Sequence, residues 1–239
     1  MLQIGSRSFS DRTLFLNRTE VGKLLADRIL RMNLENPVVL AIPRGGVVVA
    51  REIALAIGAK LDLVITRKIG FPGQPEFAIG AVTQDGEMIV DENIIKGYGI
   101  SRDYLKQESA RQKNEILERM RKYRGESPYP DLAGKTVIIV DDGIATGNTM
   151  LAAIESIRRK KPGKIILAIG VAPPETVNRL SKAVDQVVCL DTPEPFYAIG
   201  EFYEQFEQVE DDEVKEALKE VDSSLKKARS SGPRNVSRT

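Results

Sequence analysis

One short stretch dictates the architecture around it: Val137-Ile138-Ile139-Val140-Asp141-Asp142-Gly143-Ile144-Ala145-Thr146-Gly147-Asn148-Thr149. Four β-branched residues form the apolar run that a buried strand uses, and two carboxylates end it where the chain leaves the core. Gly143 and Gly147 let the backbone turn tightly and approach a ligand, while Thr146 and Thr149 supply hydroxyls. The apolar residues after Gly147 begin a helix whose free N–H groups point back at the turn, so an anion fits there. Carboxylates repel phosphate, so Asp141 and Asp142 serve another part of the same ligand. Sugar hydroxyls are donors that a carboxylate pair accepts, and the ligand reads as a sugar phosphate. A Walker A loop is excluded because Gly-Lys-Ser/Thr is missing.

A strand that merely ended in a turn would explain Asp142-Gly143 but not the ordered Thr-Gly-Asn-Thr that follows. The stretch resembles the phosphoribosyl pyrophosphate (PRPP) motif of the type I phosphoribosyltransferases: a hydrophobic strand, two acidic residues, then a Gly/Thr loop. That resemblance implies that Asp141 and Asp142 hold the ribose 2′ and 3′ hydroxyls. It also implies that Gly143, Ile144, Ala145, Thr146, Gly147, Asn148 and Thr149 hold the 5′-phosphate.

A chain of 239 residues can bury a substantial core, and 42% hydrophobic content matches a globular protein. Thirty-five basic against thirty-four acidic residues leave +1, so no global field favours nucleic acid or membrane. Cys189 is the lone cysteine, in the strand-like Gln186 to Leu190, and reads as a buried thiol in a reducing compartment. The start, Met1 to Arg7, lacks the apolar centre of a secretory signal, and no apolar run approaches the roughly 20 residues that span a bilayer. The expected location is cytoplasmic. Histidine is absent, which removes Ser-His and Cys-His nucleophile schemes and most zinc sites. The lack of Gly-x-Ser-x-Gly points the same way against an acyl-transfer hydrolase.

Along the chain, Phe9 to Arg12 precede an amphipathic helix over 19–32, with Val21, Leu24, Leu25, Ile29 and Met32 at helical spacing. Val38 to Ile42 is a short strand broken by Pro43, then come Arg44-Gly45-Gly46 and a helix from Val47 to Ile57. This second glycine turn carries an arginine and suits a more highly charged anion. It resembles the pyrophosphate loop of the same family. Leu61 to Thr66 reads as the next parallel strand, with Arg67 and Lys68 at its carboxyl end, where open α/β sheets bind ligands. Residues 69–77, with two glycines and two prolines, read as a mobile loop, and 78–83 with 87–91 as a hairpin through Asp85-Gly86. Ser101 to Arg124 is a charged helix with a narrow apolar stripe and the i,i+4 pairs Glu115/Arg119 and Glu118/Lys122; with 92–100 it is read as an insertion.

After the central stretch come a helix over 149–160, a strand over 165–171, a helix over 174–183 and a strand over 186–190. The alternation predicts an α/β fold, an open, mostly parallel twisted sheet with helices on both faces. Residues 192–208 hold five aromatic rings and form an expected hood; 1–208 form the phosphoribosyltransferase-like domain, 209–228 a C-terminal helix with charged amphipathic character, and 229–239 a disordered tail.

The resemblance implies transfer of 5-phosphoribosyl from PRPP to a nitrogen of a small planar, nucleobase-like acceptor with release of pyrophosphate, as in nucleotide salvage. It implies Mg²⁺ at Asp141 and Asp142 through water, a homo-oligomer expected as a dimer, and neither nucleic acid nor membrane as partner. Arg44, Arg67, Lys68 and the metal would balance charge on the leaving pyrophosphate, while Asp141 and Asp142 would stabilise a cationic ribose. In hypoxanthine-guanine enzymes an aspartate stands where this chain has Ala145, and a lysine follows the next strand where this chain has Val171-Ala172-Pro173-Pro174. Both departures count against a 6-oxopurine acceptor. Tyr197-Ala198-Ile199-Gly200 nevertheless resembles the aromatic hood of those enzymes, with Phe196 or Tyr197 stacking on the acceptor and Glu204 as an acidic contact. The alternative is a non-catalytic PRPP-sensing regulator.

Overall fold

Val137 and Ile139 face one hydrophobic core and Ile138 and Val140 another, because successive side chains of a strand point to opposite faces. A strand apolar on both faces needs cover on both. The computed structural model, which describes residues 14–230 except Asp85, Glu126 and the side chain of Glu76, has that arrangement. The element order is α1 (Arg18–Leu30), β1 (Pro37–Ala41), α2 (Gly45–Ile57), β2 (Lys60–Leu63), β3 (Thr66–Phe71), β4 (Gln74–Thr83) and β5 (Met88–Val90). It continues with α3 (Glu92–Gly97), α4 (Arg102–Arg124), β6 (Thr136–Gly143), α5 (Asn148–Arg159), β7 (Lys164–Val171), α6 (Pro174–Ser181), β8 (Gln186–Asp191) and α7 (Asp211–Ser230).

Five parallel strands in the order β2-β1-β6-β7-β8 form the central sheet. Helices α1, α2 and α7 pack on the face of Ile138 and Val140, and α5 and α6 on the face of Val137 and Ile139. Helix α1 buries Val21, Leu25 and Ile29 at i, i+4 and i+8, each contributing about 1.5–3 kcal/mol. Its start is fixed by Asn17, whose side chain accepts from Glu20 N, while the Glu20 carboxylate accepts from Leu16 N. Tyr129, Leu132 and Met150 pack into the second core.

Two expectations change here. Residues 69–77 are not an irregular loop: β3 and β4 form an antiparallel hairpin turning at Gly73, whose φ of 76° is the left-handed conformation glycine tolerates. Arg67 and Lys68 consequently do not end a parallel strand of the main sheet. The strand predicted over 61–66 stops at Leu63, and both cations belong to β3 of a separate three-stranded sheet, order β3-β4-β5. The two sheets divide where one nearly continuous buried run, Leu61 to Ile65, suggested a single strand; a run buried throughout carries no period to mark a break.

The β4–β5 hairpin forms as expected, although Asp85 of its turn lies outside the described residues. Helix α4 packs its narrow stripe of Leu105, Ile116, Met120 and Tyr123 over β3, β4 and α7. Its charges pair differently from the expected i,i+4 set: Glu115 takes Arg67 and Arg111, and Lys122 takes Asp211. Helix α7 runs to Ser230, so Arg229 and Ser230 are helical; the remainder of the expected tail, like residues 1–13 with Phe9 to Arg12, lies outside the described residues. Among those described, no helix is long and apolar enough to cross a membrane.

Candidate active site

Strand β6 extends through Gly143, so Asp141 and Asp142 are its last two side chains and point to opposite faces. Asp142 turns toward α1, where Arg18 donates from Nε to its Oδ2 at 2.6 Å; the two side chains are only 12% and 10% exposed. Arg18 also donates to the Glu207 carbonyl at 2.8 Å and lies 3.8 Å from the centre of the Phe206 ring. The Asp142 carbonyl accepts from the Tyr203 hydroxyl at 2.6 Å, and burial pushes that phenol upward in pKa. The second residue of the acidic pair is therefore clamped by α1 and the C-terminal segment together. Asp141 makes no ion pair among the described residues; its Oδ1 accepts from Asp142 N at 2.9 Å. Burial first, then the neighbouring Asp142 carboxylate, pushes its carboxyl well above the usual carboxylate range.

The second glycine turn packs directly on this strand end. A Cβ at Gly45 would lie 2.1 Å from Asp142 Oδ2, and one at Gly46 would lie 2.8 Å from the Val140 carbonyl and 3.0 Å from Asp141 Cα. Only glycine admits that approach. Arg44 stands at the N-cap of α2, after a cis Pro43–Arg44 peptide, and its guanidinium lies 3.8 Å from Glu210 Oε2 and from Asp211 Oδ1. Asp211 also accepts from Lys122 Nζ and from the Tyr123 hydroxyl, and those contacts hold its carboxyl down near a pKa of about 2.

Arg67 donates from Nε to Gln112 Oε1 at 2.7 Å and pairs with Glu115 of α4 at 2.5 Å. With Asp211, Lys122 and Tyr123 it lines a small recess of about 270 Å³. Lys68 is exposed on the neighbouring position of β3, in register with Ala81.

The loop after β6 leaves the sheet with Ile144 N donating to the Val171 carbonyl and reaches α5 through Gly147, whose φ is 72°. Helix α5 begins with no side-chain cap and no acidic residue in its first turn, leaving its N–H groups open. Thr176 of α6 ties the loop down by donating to the Ala145 carbonyl at 2.6 Å. Thr149 is drawn toward β3, its carbonyl accepting from the Thr66 hydroxyl at 3.3 Å. A cleft of about 1010 Å³ opens between this loop, the β7–α6 turn and the C-terminal segment, lined by Ala145, Thr146, Asn148, Arg179, Phe196 and Tyr197 among others.

The C-terminal segment divides its rings. Phe202 and Tyr203 are buried, Phe196 stacks on Phe202 at 5.0 Å, and Ile199 covers Gly143, where a Cβ would meet it at 2.5 Å. Tyr197 is 75% exposed at the cleft wall. Glu204 does not line the cleft; it is exposed and its N–H pairs with the Phe15 carbonyl.

The structure thus brings together Arg44 to Gly46, Asp141, Asp142 and the 143–149 loop, places Phe196 and Tyr197 across the cleft, and sets Arg67 and Lys68 on a separate sheet. Sequence reading missed Arg18, Thr176, Arg179 and Tyr203. Arg18 and Thr176 stand near helix starts, Arg179 in the last turn of α6 and Tyr203 in the aromatic segment, and the groups they approach lie elsewhere in the chain. Two adjacent carboxylates are hard oxygen donors that suit Mg²⁺, which keeps most of its waters and takes the rest from substrate phosphates. No cluster of three or more His, Cys, Asp or Glu residues among those described makes a closed metal cage.

Comparison with known proteins places this geometry in a family. Two Mycobacterium tuberculosis proteins named as candidate phosphoribosyl transferases are each 38% identical over 201 residues, 84% of this chain and 45% of theirs. The chain therefore spans less than half the length of these curated relatives. A crystal structure of a Thermus thermophilus protein is 41% identical, with a TM-score of 0.77 over 87% of this chain and 99% of that one. A ribose-phosphate pyrophosphokinase of Pyrococcus furiosus is 44% identical over 73 residues, 29% of this chain and 26% of its own. The family profile described as the phosphoribosyl transferase domain matches residues 16–207, in keeping with the strand-end acidic pair, the open helix start and the parallel sheet, and the chain belongs to that family.

Proposed function

We propose that this chain transfers the 5-phosphoribosyl group of PRPP to a ring nitrogen of a small planar, nucleobase-like acceptor and releases pyrophosphate. The observation that carries this reading is the placement of Asp141, a desolvated carboxylate without an ion pair among the described residues, beside an anion loop that opens into a cleft walled by Phe196 and Tyr197. Donation from a ribose hydroxyl restores to Asp141 the solvation that burial removes, which favours a sugar at this position.

The residues divide the labour. Backbone N–H groups at the start of α5, with Thr146 and Thr149, bind the 5′-phosphate. As the C1–O bond breaks, positive charge develops on the ribose, and the carboxylate of Asp141 stabilises it. Asp142, clamped by Arg18 and Tyr203, holds the end of the strand in position, and with Asp141 would hold Mg²⁺ through water. When bound, Mg²⁺ neutralises charge on the diphosphate. Arg44 balances the departing pyrophosphate once it exchanges Glu210 and Asp211 for the more highly charged anion. Arg67 and Lys68 contribute at longer range from β3. Phe196 and Tyr197 offer ring faces for a planar acceptor.

The experiment is calorimetric titration with PRPP and Mg²⁺, followed by pyrophosphate release over a panel of bases. Binding with release for one base identifies the acceptor. Binding with no release for any base moves the function to PRPP sensing, and no binding removes the reading.

A further inference from the structure

The phosphate loop has a cation beside it that no acidic group among the described residues neutralises. Arg179 of α6 lies three residues after Thr176, on the same helix face, and Thr176 is the residue that pins the loop through the Ala145 carbonyl. Both reach Gly147: a Cβ there would meet Thr176 Cγ2 at 3.1 Å and Arg179 Nη2 at 3.2 Å. The guanidinium is thus placed over the residue that caps α5.

The last turn of α6 favours a cation, but the start of α5 opposes one unless an anion lies between them. The start of a helix carries partial positive charge, and a cation beside it loses about 0.3–1 kcal/mol where a carboxylate would gain it. No acidic residue occupies the first turn of α5, and no carboxylate of the described residues forms an ion pair with Arg179. Glu175 and Glu194 line the same cleft without pairing to it. Arg158 and Arg159 stand in the last turn of α5 as Arg179 does in the last turn of α6, but unlike Arg179 they are paired with protein groups. Two positive features converge on one point facing a cleft, and a group with at least two anionic oxygens satisfies both.

We propose that Arg179 is a binding residue for the 5′-phosphate of the phosphoribosyl donor, closing the loop 143–149 from the α6 side. Its planar fork donates to two phosphate oxygens while the α5 N–H groups take the remainder. Thr176 acts as the positioning residue, because its hydrogen bond sets the distance between α6 and the loop. The proposal rests on the phosphoribosyl-transfer reading and adds a contact to it.

The test measures binding of PRPP, ribose 5-phosphate and pyrophosphate to the wild-type chain, Arg179→Ala and Arg179→Lys. Arg179→Ala is expected to weaken ribose 5-phosphate and PRPP by about 10- to 100-fold, the range for a charged hydrogen-bond pair. Pyrophosphate affinity should not change, and Arg179→Lys should recover part of the loss as a point charge. Because Arg179 is exposed, the melting temperature should hold within about 2 °C, the scale of a neutral surface substitution. Unchanged ribose 5-phosphate affinity in Arg179→Ala overturns the proposal while leaving phosphoribosyl transfer intact. A loss confined to the planar acceptor also overturns it and makes Arg179 a reader of an anionic acceptor. Failure of the wild-type chain to bind PRPP removes the proposal together with the reading beneath it.

Discussion

Arg18 and Asp142, 124 positions apart in the chain, meet at 2.6 Å where α1 crosses the end of β6. That contact separates two carboxylates which look equivalent in sequence. Asp142 is held from its side chain by Arg18 and from its carbonyl by Tyr203, whereas Asp141 has no ion pair among the described residues. One aspartate is committed to protein contacts, and the other forms no ion pair among the described residues.

Asp141→Asn and Asp142→Ala should therefore fail in different ways. Losing Asp142 leaves Arg18 buried without its partner, a cost of about 3 kcal/mol and a fall on the order of 10 °C in melting temperature. Asp141→Asn should leave the melting temperature near that of wild type yet lower pyrophosphate release by about 100-fold or more. Thermal melts beside turnover assays separate the two; equal falls in melting temperature would contradict this division.

Arg44 is held by Glu210 and Asp211 at the start of α7, at distances typical of a loose ion pair. Arg44→Ala should weaken pyrophosphate binding, while Glu210→Gln should strengthen it by up to about 5-fold at low salt, with the gain fading as salt screens the pair. Titrations of both variants at two ionic strengths check this, and an unaltered affinity in Arg44→Ala would mark the turn as purely structural.

Asp211 supplies a pH signature. Its carboxyl is held down to about 2 by Lys122 and then Tyr123, below the ordinary value near 4. A depressed folded-state pKa means the contribution is fully present above about pH 4 and is lost as pH falls through about 2. Asp211→Asn should lower the melting temperature at pH 7, and the gap to wild type should close between about pH 4 and 2. A gap independent of pH would show that the hydrogen bonds to Lys122 and Tyr123 do not depend on ionisation.

Tyr197 stands at the cleft wall with three quarters of its surface exposed, so its removal should scarcely alter stability. Tyr197→Ala should raise the KM for the acceptor by about 5- to 10-fold, the value of one ring stack, and leave that of PRPP unchanged. Steady-state kinetics with each substrate varied in turn decides; an equal rise in both would assign the ring to packing.

Helix faces and the alternation of strand with helix were readable because burial imprints a period on the residues: Val21, Leu25 and Ile29 along α1, and the apolar run of β6 before its acids. The loop from Gly143 to Thr149 was readable because its backbone needs glycine at 143, against Ile199, and at 147, where φ is positive. The β3–β4 hairpin was not, since Gly70, Gly73 and Pro75 signal a turn without saying what flanks it, and Leu61 to Ile65 contains neither glycine nor proline to mark the end of β2. The partition of charge was equally hidden: Arg67 looked like a ligand residue and pairs with α4, while nothing local marked Arg18 as the partner of Asp142 or placed Arg179 beside Gly147.

The sequence by itself determined the alternation of strand and helix, the strand-end acids and the glycine turn between β6 and α5, because each depends on neighbours a few residues away. Tertiary structure alone decided which aspartate is committed, which arginines are neutralised and which one faces the cleft. Those outcomes depend on distances between side chains and backbone separated by as much as 189 positions, such as Arg18 and Glu207, and interactions between charges fall steeply with distance and rise with burial.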